Sequence, residues 1–309
     1  MQYLNQRVFH LQYSIKHVPG KRKLCRTRRL CYNPDMCLIS KTEEQKPDPG
    51  GRIAVMDSGL GGISVLRELL TIMPGEDYLY FGDSVNAPYG EKPPDTIRAL
   101  CRRNVEMLLE RGAKCIVIAC NTATSAAAEL LRKEYPSVPI IGMEPAVKPA
   151  AVSGGHPRVL VLATPLTIKG NRLHQLVEAH AEEADFILRE APGIVRFVEN
   201  GICDAAPDAA LDSYLNGLLA DFSGSAGRVD AVVLGCTHFP FVRRSIEKAL
   251  GYPVAIYDGA HGTAMQTKRR LEACGLLRED AASGHGKTEL LNSDKSRLPA
   301  ERMLLELKS

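Results

Sequence analysis

From residue 52 to about residue 276 the chain repeats one pattern: a short apolar run, a polar turn, then a stretch with helical spacing. Runs at 52–56, 78–81, 114–119, 138–141, 158–163, 186–188, 230–234 and 254–257 have strand length and many β-branched residues. The spacing between them predicts helices over 63–72, 95–111, 124–135, 167–183, 208–221, 242–250 and 262–274. A strand apolar at every position is buried on both faces, the signature of a parallel sheet covered by helices on each side. The expected fold class is α/β, with two domains. The first takes residues 51–145 plus 256–278, and the second takes 146–255. A polar tail, 279–309, is expected to be peripheral.

The first 50 residues do not share this pattern. They carry ten Lys/Arg against four Asp/Glu, a net of +6, whereas the other 259 residues carry 29 against 32, a net of −3. The leader reads as a basic extension with no fixed structure, or as the product of an upstream start codon. A regulatory arm, a transit peptide and a nucleic-acid arm are its other readings, the last without aromatic interleaving to support it. Nothing in the mildly acidic body argues for a nucleic-acid surface. No run approaches the roughly 18 apolar residues of a spanning helix, so no membrane role is expected. Nine cysteines, an odd number in a long chain, argue against a secreted disulfide framework and for a reducing, cytoplasmic compartment. Cys25, Cys31 and Cys37 do not have a common zinc spacing, and no metal is expected.

Open α/β sheets bind ligands beyond the carboxyl ends of their strands. The first strand runs into Asp57-Ser58-Gly59-Leu60-Gly61-Gly62, and the second leads to Pro88-Tyr89-Gly90. Two others end alike, in Ala119-Cys120-Asn121-Thr122 and Gly235-Cys236-Thr237-His238. Cys101, Cys115, Cys203 and Cys274 lie in element patterns without polar company and read as buried core thiols, as cysteines commonly are. Cys120 and Cys236 instead precede donors and a helix start, which favour a reactive thiol. Two thiols 116 positions apart do not suit disulfide exchange, and a hydrolase needs one nucleophile with a base. Proton transfer at a carbon stereocentre does need two groups, one removing the α-proton and one delivering a proton to the opposite face. That chemistry is a racemase or epimerase working without a cofactor. Asp57 orients a substrate ammonium or assists a thiol on this reading, and anchors a helix start on the plainer one. His238 is placed to relay a proton with Cys236. Gly59, Gly61 and Gly62 allow backbone N–H groups to approach an anion, although the turn lacks the phosphate-loop pattern.

These four segments, in this order, resemble glutamate racemase, over about residues 53–276. The resemblance implies pseudo-symmetric domains with D- or L-glutamate in the cleft between them, and no pyridoxal phosphate. It implies that Cys120 acts on D-glutamate and Cys236 on L-glutamate, with Asp57, His238 and Glu199 assisting. It also implies that Ser58, Tyr89, Gly90, Asn121, Thr122, Thr164, Thr167 and Thr237 contact substrate, along with Asp57 and His238. Such an enzyme supplies D-glutamate for peptidoglycan, as a homodimer or in monomer–dimer exchange. Phe239 stands where many members have Tyr. The remaining alternatives are a racemase of another acid, such as aspartate, and a non-catalytic binding protein on the same fold.

Overall fold

In a computed structural model the described residues are 47–278 and 286–307. The readings of the leader, with Cys25, Cys31 and Cys37, fall outside them. Two parallel sheets form, as the apolar runs predict. The first contains β1 (Arg52–Asp57), β2 (Tyr78–Gly82), β3 (Ala113–Ile118), β4 (Ile140–Gly142) and β9 (Thr288–Asn292), in the order β4-β3-β1-β2-β9. The second contains β5 (Arg158–Ala163), β6 (Asp185–Glu190), β7 (Ala231–Leu234) and β8 (Ala255–Asp258), in the order β6-β5-β7-β8. In each sheet the chain steps from a central strand to one side and then returns to the other side. The crevice at that reversal lies between β1 and β3 in one sheet and between β5 and β7 in the other.

The strand interiors explain why the runs are continuous. Ile53 and Val55 face a core that also holds Leu160, Leu162, Val232 and Leu234, so one apolar layer joins the two sheets. Ala54 and Met56, pointing the other way, pack under α2 (Pro94–Glu110) and α3 (Asn121–Glu134). Val159, Val161 and Val233 meet α4 (Val147–Ala151) and α6 (Asn171–Glu178) on the far side of the second sheet.

Four expectations change. The helix expected over 167–183 is two: α5 (Pro165–Ile168) and α6, separated by extended Gly170 (φ −75°, ψ 132°). A Cβ on Gly170 would lie 3.1 Å from Ser125 Oγ, so this break lets the turn close onto α3. The return to the first domain falls at Gly259 rather than between 255 and 256, because all of β8 pairs with β7. From there α10 (Ala260–Cys274) packs on α1 (Ile63–Ile72). The polar tail is not peripheral: β9 pairs in register with β2 from Tyr78↔Thr288 to Gly82↔Asn292, and α11 (Leu298–Glu306) packs against α1. As an edge strand with only one end fully buried, β9 needs no apolar run. Cys274 is exposed, because it ends α10 just before the left-handed Gly275 (φ 64°); Cys101, Cys115 and Cys203 are buried.

The tail also contributes a buried acid. Glu301 on α11 is fully buried, and its Oε1 accepts from Asn292 Nδ2 at 2.7 Å. Burial pushes its carboxyl up to about 7, helped by the nearby charges of Glu199 and Asp57. A raised carboxyl stabilises the fold fully below the ordinary value of 4.5, and that contribution is lost as pH rises through 7. Glu301→Gln is therefore expected to be more stable than the parent at pH 8.5, by roughly 1–2 kcal/mol or about 2–4 °C in Tm. The gain should vanish at pH 4, and an equal shift at both values would contradict the buried ionisation.

Candidate active site

The site is built from the residues that follow β1, β3, β5 and β7. Asp57 is the last residue of β1 and is buried. Its Oδ1 accepts from Gly59 N at 3.0 Å, and its Oδ2 accepts from Thr237 Oγ1 at 3.2 Å. One carboxylate thus joins the glycine turn of the first domain to the loop after β7. Burial raises its pKa from 3.8 to about 6, against the lowering pull of His238.

The helix after β3 starts three residues earlier than its periodicity suggests, and this places Cys120 at the N-cap of α3. Its Sγ accepts from Ala123 N at 3.5 Å. A helix N-terminus favours a thiolate, yet burial and the charge of Asp57 outweigh it and push the Cys120 thiol far up. Cys236 is close enough to add to that push, and the nearby Ser58 hydroxyl works against it. The two sulfurs thus lie in one buried site, each residue 7% exposed.

On the Cys236 side, His238 Nδ1 lies 3.6 Å from the sulfur and Nε2 lies 2.6 Å from Glu199 Oε1. Burial opposes a charge on this imidazole, but hydrogen bonds to Cys236 and Glu199 prevail and raise its pKa well above 6.5. Glu199 ends α7 (Pro192–Glu199). Burial pushes its own pKa up, but the hydrogen bond and charge of His238, with Leu60 N–H and the charge of Arg297, together lower it. The same Oε1 accepts Leu60 N–H at 2.8 Å. The glycine turn thus receives an anion, as expected of such a turn, and that anion is the protein's own Glu199. A Cβ on Gly59 would collide with this carboxylate, and one on Gly61 with His238 and Thr237.

The hydroxyls form a second group. Thr122 at the start of α3 lies 3.1 Å from Thr164 and 3.4 Å from Thr167, and those two are 3.0 Å apart. Thr164 follows β5, so this cluster spans the two domains. Gly90 packs on it, with room for a Cβ only 3.2 Å from that of Thr164. The Tyr89 hydroxyl donates to Asp83 Oδ2 at 2.7 Å and accepts from Asn104 Nδ2 at 3.2 Å. Asn121 is buried, and neither its Oδ1 nor its Nδ2 has a hydrogen-bond partner among the described residues. Buried amides are ordinarily paired, so Asn121 presents one free donor and one free acceptor beside Cys120.

With this geometry in place, similarity to known proteins is informative. The model of the Asp/Glu/Hydantoin racemase family matches residues 53–267. A glutamate racemase of Clostridium perfringens is 42% identical over 258 residues, which is 83% of this chain and 96% of that protein. The chain belongs to the glutamate racemase family. The glutamate racemase of Thermus thermophilus in complex with β-chloro-D-alanine superposes with a TM-score of 0.65 at 36% identity, over 84% of this chain and 93% of that one. A Francisella tularensis glutamate racemase in complex with D-glutamate gives 0.70 at 25% identity, over 84% and 95%. This racemase fold accounts for the two sheets with their crevices turned to one site.

Some of the site had no sequence signal. Ser64 Oγ donates to the carbonyls of Gly61 and Thr237, at 2.9 and 3.0 Å, and so holds the two motif loops together. Tyr80 Oη donates to Gly59 O at 2.6 Å. Ser64 sits within α1 and Tyr80 within β2, where the sequence reads as core. Among the described residues no group of three or more His, Cys, Asp or Glu is arranged to hold a metal, and no helix is long and apolar enough to cross a membrane.

Proposed function

We propose that this chain interconverts L- and D-glutamate by two-thiol proton transfer at Cα, and so supplies D-glutamate for peptidoglycan synthesis. The observation that carries the reading is the pair of buried thiols at equivalent strand ends, each with its own acid–base neighbour: Asp57 beside Cys120, and the His238–Glu199 pair beside Cys236. Cys120 removes the α-proton of D-glutamate while Cys236 protonates the opposite face. L-Glutamate uses the reverse roles. Each thiol must be a base in one direction and an acid in the other, so each needs a group that can take up and return its proton. Asp57, with a pKa raised to about 6, serves Cys120, and His238, held by Glu199, serves Cys236.

Substrate carboxylates need several neutral donors, and the site offers them. This reading assigns the substrate carboxylates to the amide of Asn121 and the hydroxyls of Ser58, Thr122, Thr164, Thr167 and Thr237. The three threonines bond one another, and a carboxylate would exchange those bonds for its own. The test is incubation with D-glutamate or D-aspartate without added cofactor, followed by circular dichroism. The expected result is decay of the glutamate signal to zero, with aspartate unchanged. Decay with aspartate alone would move the specificity to the shorter acid, and no decay with either would overturn the reading.

A further inference from the structure

We propose that Arg297, in the turn that opens α11, is a positioning residue for the Cys236 half of the reaction, an inference that rests on the two-thiol function above. Arg297 Nη1 donates to the main-chain carbonyl of Glu199 at 2.6 Å. That carbonyl is among the last four of α7, which have no donor within the helix. A guanidinium is suited to such an end, since it supplies both the missing donor and a charge of the favourable sign. Glu199 is therefore held from two directions. Arg297 fixes its backbone, while Leu60 N–H and His238 fix its carboxylate, at 2.8 and 2.6 Å. His238 in turn stands 3.6 Å from the Cys236 sulfur. The shortest run of contacts goes from Arg297 through Glu199 and His238 to Cys236.

The bond also crosses between domains. Arg297 belongs to the segment that extends the first sheet through β9, whereas α7 packs on α8 (Ala209–Ser223) of the second domain. A second bridge reaches α7 one turn earlier, from Arg196 Nη2 to Glu91 Oε1 at 2.7 Å, beside the Tyr89-Gly90 turn. Asp294 keeps Arg297 in place. Its Oδ1 accepts from Ser296 N at 3.0 Å, and its Oδ2 lies 3.5 Å from Arg297 Nε. Asp294, Ser296 and Arg297 lie beyond residue 267, where the family match ends.

The Arg297 side chain is 36% exposed, so replacing it should leave the fold intact. Racemisation has an equilibrium constant of one, so kcat/KM must fall equally in both directions. Arg297→Ala is expected to lower it about tenfold, the effect of losing one charge-assisted hydrogen bond, with the fall carried by kcat and not KM. Arg297→Lys should restore most of it. The deciding readout is the primary isotope effect measured separately with α-deuterated L- and D-glutamate. If only the Cys236 step is slowed, the effect should rise for L-glutamate and fall towards one for D-glutamate. Equal changes in both, or unchanged activity in Arg297→Ala, would overturn the positioning role. A parent enzyme that does not racemise glutamate at all would instead overturn the function on which the role rests.

Discussion

Cys120→Ser and Cys236→Ser should each lower glutamate racemisation by about 10³-fold or more while the fold is retained. The expectation follows from what each sulfur must do. One group has to take a proton from Cα and the other has to give one, and a serine hydroxyl does neither at neutral pH with comparable ease. Neither substitution opens a cavity of consequence, because serine is nearly isosteric with cysteine. The Cys120 replacement also keeps an N-cap oxygen able to accept from Ala123 N–H. Thermal unfolding midpoints should therefore stay within a few degrees of the parent. Two single variants that keep near-parental turnover would refute the two-thiol mechanism. One inactive variant beside one active variant would reduce it to a single base.

Asp57→Asn should separate activity from stability. Turnover is expected to fall by about 10²- to 10³-fold, because the amide cannot take the proton that Cys120 must lose to act as a base. Stability should move the other way with pH. The Asp57 carboxyl is raised from 3.8 to about 6 by burial, so between those values the folded chain holds more protons than the unfolded chain. Its contribution to stability is complete below pH 3.8 and is lost as pH rises through 6. Above pH 7 the folded protein thus carries a buried ionised group that asparagine does not. The variant should be more stable than the parent at pH 8 by roughly 2–3 kcal/mol, and close to it at pH 4. Thermal melts at the two pH values measure this directly. A destabilised variant at pH 8 would mean that the bonds to Gly59 and Thr237 outweigh burial. Loss of function with gain of stability is expected where a site keeps a strained charge for chemistry.

The parts of this architecture that the sequence shows are those whose surroundings are the same on every side. β1, β3, β5 and β7 lie between covered faces, so residues such as Ile116, Val117 and Ile118 are all apolar and the strand reads plainly. The residues just beyond those strands stand out for the opposite reason, since Asp57, Cys120 and Cys236 are reactive side chains at the end of an apolar run. β9 gives no such signal. An edge strand of sequence Thr-Glu-Leu-Leu-Asn, covered on one side, resembles polar tail. Glu301 and Arg297 go with it, because a charged residue in a polar segment predicts solvent, and only the pairing of β9 with β2 carries them inward. The break at Gly170 is equally silent, because one helical period continues across it and only the approach to Ser125 requires the turn. Tyr89 is a different case. Its position beside the site follows from the motif, but its hydroxyl is drawn to Asp83, a residue that sequence alone does not connect with it.

The most direct test of the account is where deuterium goes at low conversion in D2O. Purified protein is incubated with D-glutamate, the enantiomers are separated early, and each is analysed by mass spectrometry. Two thiols on opposite faces predict α-deuterium in nearly every L-glutamate formed, because the delivering thiol has exchanged with solvent, while recovered D-glutamate stays largely unlabelled. Deuterium entering both enantiomers at equal rates, or L-glutamate that keeps the original proton, would mean that one group serves both faces, and the pairing of Cys120 with Cys236 would be wrong.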